Sequence, residues 1–157
     1  MKPSLYLETT IPSYLTARPT RDLIMAAHQQ MTREWWEKRL AAFRVFISQL
    51  VVDECALGDA EAARRRLDSI NDLPLASIDD NVLALAQGLI DAGAIPSSAG
   101  ADAVHIAVAA NHDMDFLLTW NCTHINNAET IADLAAALAA QGYRCPTICT
   151  PEELMGK

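Results

Sequence analysis

The stretch "ADAVHIAVAANHDMDFLLTWN", residues 101–121, decides the fold class. Its first part, 101–112, is rich in alanine, with Val104, Ala107 and Val108 at helical spacing, and predicts a helix with an apolar side turned inward. After a short polar break, Asp115–Trp120 changes to the compact apolar pattern of a buried strand. A helix that feeds directly into such a strand is half of a parallel βα repeat, whose strands are covered on both faces. Polar residues then follow at once, in Asn121, Cys122 and His124.

The same alternation extends in both directions. "SLYLE" (4–8) reads as a short buried strand, ended by Thr9, Thr10 and Pro12. Arg21 to Phe43 predicts a helix with Ile24, Ala27, Met31 and Trp35 on its buried stripe. "RVFIS" (44–48) is a second strand, "QLVVDECA" (49–56) a helix stopped by Gly58, and 59–71 another helix. "LPLASI" (73–78) reads as a third strand, followed by a helix that Asp79 or Asp80 caps and Gly93 ends. Beyond the fourth strand, Asn126 or Asn127 opens an Ala/Leu helix stopped by Gly142, and "CPTICT" (145–150) is a fifth strand. The expectation is one α/β domain over 1–157, a three-layer α/β/α sandwich around a mainly parallel sheet of about five strands.

Composition agrees with a packed core: of 157 residues, 51% are apolar and 20% charged. No apolar run nears the roughly 20 residues that span a bilayer. "MKPSLYLETT" lacks the apolar region of a signal peptide, so no membrane association and a cytoplasmic location are expected. The cysteines (55, 122, 145 and 149) form no CxxC pair, and neither disulfides nor structural zinc are expected. A net charge of −8 opposes simple electrostatic binding of nucleic acid. Its distribution is uneven: residues 1–44 hold seven Lys/Arg against four Asp/Glu, and the remainder five against sixteen. Any phosphate backbone would find its footholds in the first third and at Arg64-Arg65-Arg66, a run that otherwise reads as a solvated helix face.

Parallel α/β sheets bind ligands outside the carboxyl ends of their strands, where strand order reverses. Glu8 ends the first strand, and Asn121 lies just past the fourth. Glu54 lies on the helix after the second strand, and Asp102 at the start of the helix feeding the fourth. Convergence of these four oxygen donors would suit Mg²⁺ or Mn²⁺, which prefer carboxylates and water and relieve the repulsion among them. Such a centre activates water and neutralises charge on a phosphodiester. Asn121 has a second reading, as a loop-turn residue capping the next helix. His105, one turn past Asp102, reads first as a packed helix residue, and His124 equally as a loop residue or a substrate contact. Asp115 is expected to face solvent, and Trp35 and Trp36 to pack rather than stack on bases. Asp53 points about 100° away from Glu54, so only one of them can face the site.

"YLETT" (6–10), "VVDE" (51–54), "DAVHIAVA" (102–109) and "LLTWN" (117–121), in this order and spacing, resemble the acidic motifs of PIN domains. Those domains include the VapC-type toxin ribonucleases of bacterial toxin–antitoxin pairs. The resemblance runs from Leu5 to about Thr150, and its strongest element is the Asp-Ala-x-His-Ile-Ala run. It implies a divalent-metal-dependent endoribonuclease using Mg²⁺ or Mn²⁺, with Glu8, Glu54, Asp102 and Asn121 as catalytic metal-site residues. Thr10 and Thr119 match the family's small hydroxyl positions. An RNA substrate, a small antitoxin protein and a homodimer are implied in the same way. Two residues depart from the pattern: Glu8 and Asn121 stand where Asp is usual, so one tightly held ion is expected rather than two. Two rivals stand beside this reading. One is a non-enzymatic PIN-like module that binds RNA or protein. The other is a phosphoacceptor or phosphatase domain, which needs a nucleophilic Asp directly after a strand, where this chain has Glu8 and Ser77-Ile78.

Overall fold

In the computed structural model, which describes residues Met1–Lys157, four parallel strands form one sheet. They are β1 (Ser4–Leu7), β2 (Arg44–Phe46), β3 (Phe116–Leu118) and β4 (Thr147–Cys149), in the order β2-β1-β3-β4. Leu5 sits opposite Val45 on one side and Phe116 on the other, and Leu117 lies opposite Ile148. Leu5, Tyr6, Leu7, Leu117 and Leu118 are fully buried, as the two central strands of a sheet covered on both faces should be.

Seven helices surround the sheet: α1 (Thr10–Thr16), α2 (Leu23–Arg39), α3 (Gln49–Cys55), α4 (Ala60–Ile70), α5 (Asp80–Asp91), α6 (Gly100–Asn111) and α7 (Ile131–Ala140). They pack in two groups. α1 lies against α2 and α4, with α3 against α4, whereas α5 lies against α6 and α7. The division falls within the path from β2 to β3, whose α3 and α4 join the first group and whose α5 and α6 join the second. The two groups fit a three-layer arrangement. Asp79 caps α5 by accepting from the Val82 N–H, and Gly142, at φ +85°, closes α7 in the left-handed conformation. No helix is long and apolar enough to cross a membrane.

Two expectations need correction. The sheet has four strands, not about five. Residues 73–78 touch it at a single parallel bridge, Ile47 to Leu75. Pro74 has no N–H to extend a ladder, and the Leu73 N–H is taken by Ile70 O at the end of α4 (3.0 Å). After β1 the chain turns at once into α1, a helix the sequence reading did not name. Pro12 is tolerated there because the first N–H groups of a helix have no intrahelical partner. Second, α2 buries only the second half of the predicted stripe, Met31 in part and Trp35 fully. Ile24 is 71% exposed and Ala27 exposed, while Gln29, Thr32 and Trp35 are buried. The polar pair is satisfied inside: the Gln29 amide donates to Arg18 O, and Thr32 Oγ1 accepts from Trp120 Nε1 (2.8 Å). Trp35 packs in the core as expected, with its Nε1 donating to Leu154 O.

Candidate metal centre

The strand order reverses between β1 and β3, so the crevice at their carboxyl ends is where a ligand site belongs. Glu8 directly follows β1, and its N–H continues the ladder to Leu118 O (3.1 Å). The side chain is buried. Its Oε1 accepts from Thr10 Oγ1 (2.5 Å) and Thr119 Oγ1 (2.6 Å), while Oε2 accepts only the Thr10 N–H (3.2 Å). Both hydroxyls are themselves held from behind, Thr10 Oγ1 by the Trp120 N–H (2.8 Å) and Thr119 Oγ1 by the Asn121 N–H (2.9 Å). Each hydroxyl thus accepts from backbone and gives its one proton to Glu8.

Glu54 approaches from the second turn of α3, half-buried. Its Oε1 accepts from Thr9 Oγ1 and from His105 Nε2, both at 2.6 Å. His105, buried on α6, meets Tyr6 Oη at Nδ1 (2.7 Å), and Tyr6 Oη meets Ser48 Oγ (2.8 Å). With a neutral imidazole, one donor order satisfies every atom: Ser48 to Tyr6, Tyr6 to Nδ1, and Nε2–H to Glu54. Burial raises the Glu54 carboxyl pKa, but hydrogen bonds from His105 and Thr9, with a charge interaction from His105, outweigh it and hold the group below its ordinary value. Burial drives the Tyr6 phenol far above its ordinary value, so it stays neutral.

Potential ligand atoms of Glu8, Glu54 and His105 all lie within 4.8 Å of one another. No Lys or Arg forms an ion pair with either glutamate. Two carboxylates this close repel unless a proton or a cation comes between them. A hard divalent cation fits the donors present, because each glutamate has one oxygen engaged by two donors and the other free of side-chain donors.

The four residues named from sequence fare differently. Glu8 and Glu54 are brought together. Asp102 lies in the first turn of α6, half-buried, three residues before His105, and is not among the atoms within 4.8 Å. Asn121 turns its Oδ1 onto its own loop, accepting the N–H groups of Thr123 (3.2 Å) and His124 (3.1 Å). These contacts are those of the loop-capping alternative. Exposed Asp53 accepts from Gln49 Nε2 and leaves the site to Glu54. Asp115 is not simply solvated, since its carboxylate binds Ser4.

In the arginine run, Arg65 donates to Thr16 O and Glu61, while Arg66 donates to Cys55 O and Leu57 O at the end of α3. Exposed Arg64 is left without a protein partner. Thr9, Tyr6 and Ser48 went unread in the sequence. One signal was available, because Ser48 precedes α3 where a capping serine belongs. The largest surface cleft, about 480 Å³, lies elsewhere, between α1 and α4, with Ser13, Thr16, Arg18, Glu61 and Arg65 on its walls. No protein-family model matches the chain, and no curated protein matches it.

Proposed function

We propose that this protein is a divalent-metal-dependent endoribonuclease of the PIN-domain, VapC-like type, hydrolysing RNA phosphodiesters with Mg²⁺ or Mn²⁺. The observation that carries the reading is the pair Glu8 and Glu54 at the β1/β3 switch point. They are pinned by hydroxyl and imidazole donors, each keeps one oxygen free of side-chain donors, and neither is matched by Lys or Arg. Single oxygens presented this way suit the small octahedral shell of Mg²⁺ or Mn²⁺ better than the larger shell of Ca²⁺, which often takes carboxylates in pairs. Asp102 supplies the third carboxylate from the first turn of α6, where nothing in the protein hydrogen-bonds to it. Asn121 assists through water, since its own oxygen is engaged in the loop.

A bound cation supplies activation of water and neutralisation of the charge that builds on a phosphodiester. The chain's own residues hold the geometry: Thr10 and Thr119 orient Glu8, and Thr9 and His105 orient Glu54. RNA would be steered by the basic first third of the chain and by exposed Arg64. A small antitoxin protein, a homodimer and a cytoplasmic location complete the proposal by resemblance.

The non-enzymatic module is favoured by one observation, the commitment of the Asn121 oxygen to its own loop. Incubating the protein with end-labelled RNA and Mn²⁺, with or without chelator, separates the two. Cleavage that needs Mn²⁺ and disappears in Asp102→Asn is expected. Intact RNA despite measurable Mn²⁺ binding would make the chain a binding module, and chelator-resistant cleavage would remove the metal centre.

A further inference from the structure

We propose that His105, Tyr6 and Ser48 form a positioning latch that decides which oxygen of Glu54 faces the cation, and that His105 acts through Glu54 rather than as a ligand. The inference rests on reading the Glu8–Glu54 cluster as a metal centre.

A ligating histidine needs one ring nitrogen with its lone pair directed at the ion. Neither nitrogen of His105 is free: Nδ1 is at 2.7 Å from Tyr6 Oη and Nε2 at 2.6 Å from Glu54 Oε1. The imidazole is also buried, at 1% exposure, and lies tilted against the Tyr6 ring with 5.8 Å between centroids. Together with Thr9 Oγ1, His105 occupies Glu54 Oε1 from two directions, so that Oε2 is the oxygen left to bind. A histidine that donates to a metal-ligating carboxylate fixes the orientation of that ligand.

Ser48 shows that the network extends beyond one contact. It stands at the amino-terminal cap of α3 in extended backbone, yet its side chain makes no capping bond. The hydroxyl goes to Tyr6 instead (2.8 Å). A local rule set aside in this way marks a residue used for something other than helix stability. Ser48 and Glu54 stand at the two ends of the same short helix, and both are tied to His105, one through Tyr6 and one directly. Three segments, β1, α3 and α6, are thereby fastened around one carboxylate. Arg66 holds the far end of α3 by the Cys55 carbonyl (3.0 Å) and the Leu57 carbonyl. Glu8 needs no such device, because Thr10, at the start of α1, and Thr119, just past β3, adjoin it directly.

The experiment is a Mn²⁺ titration followed by electron paramagnetic resonance of the free ion, with a thermal melt in chelator to confirm that each variant is folded. The proteins are wild type, His105→Ala, His105→Gln and Tyr6→Phe. Removing an outer partner weakens metal binding by about 10–100-fold, and His105→Ala should fall in that range. His105→Gln should recover most of the loss, because its amide can still donate to Glu54. Tyr6→Phe, which removes one oxygen from a fully buried ring, should fall between the two and carries the test alone where His105→Ala does not fold. A ligand role predicts otherwise, with His105→Gln as weak as His105→Ala because the imidazole nitrogen is lost in both. That pattern, or wild-type affinity in every folded variant, overturns the latch. Absence of Mn²⁺ binding by wild type itself would instead overturn the metal centre on which the latch depends.

Discussion

The two ends of the β1–β3 pair use the same chemistry to opposite effect. At the amino ends, Asp115 accepts from the Ser4 N–H (2.8 Å) and the Ser4 hydroxyl (3.1 Å), and Arg144 stands 3.7 Å from its other oxygen. The hydrogen bonds from Ser4, with Arg144 and Arg44 nearby, hold this carboxyl below its ordinary pKa. At the carboxyl ends, Glu8 and Glu54 receive hydroxyls and an imidazole, but no Lys or Arg. Hydroxyls position a carboxylate; a proton or a cation neutralises it. Where the chain supplies arginine the acid is structural; Glu8 and Glu54 meet no Lys or Arg, and on the proposed reading a bound cation balances their charge.

Removing the charge of Glu8 should give the largest effect. In Glu8→Gln, Mn²⁺-dependent cleavage of labelled RNA should fall by more than about 100-fold, beyond what loss of an outer partner does. The same variant melted in chelator should be as stable as wild type or more so, because repulsion with Glu54 is relieved. A clear loss of stability in chelator would break the contrast between the two ends.

Asp115→Asn should act in the opposite direction and more weakly. It should lose up to about 1 kcal/mol at neutral pH, discounted for the exposure of the Arg144 pair. Because the folded pKa is depressed, the stabilisation is complete above the unfolded value of about 4 and is lost as pH falls through the folded value. Denaturant melts of both proteins should therefore converge in acid. A difference that persists below about pH 2 would assign the effect to packing instead of charge.

Asn121→Asp should do least. Aspartate accepts the same two loop N–H groups, so the change should stay within about 0.5 kcal/mol in chelator and in Mn²⁺ alike. A gain confined to Mn²⁺ would bring this side chain into the ligand set and sharpen the boundary of the centre.

Much of this architecture was legible in the sequence, and the exceptions share a cause. The helix–strand passage from Gly100 to Leu118 and the caps at Asp79 and Gly142 depend on periodicity and backbone preference within a few residues. The pairing of 73–78 depended on which strand edge lay beside it and on a proline that cannot donate. The buried face of α2 depended on Trp120, 88 residues away, offering its N–H to Thr32.

In the centre the division is similar. The family resemblance implied that Thr10 and Thr119 accompany the site, and by itself the sequence determined that Glu8 and Glu54 lie after strands, where a parallel sheet gathers its ligands. That came from chain order, because strand direction dictates which end each acid occupies. Only the tertiary structure decided that His105 faces Glu54, that Tyr6 links it to Ser48, and that the Asn121 oxygen turns back onto its loop. Tyr6 and His105 are 99 residues apart and His105 and Glu54 are 51 apart, and a hydrogen bond requires its atoms within a few tenths of an ångström. Residue spacing carries no such precision across separate elements, so the partners of a buried polar group are settled only when β1, α3 and α6 pack together.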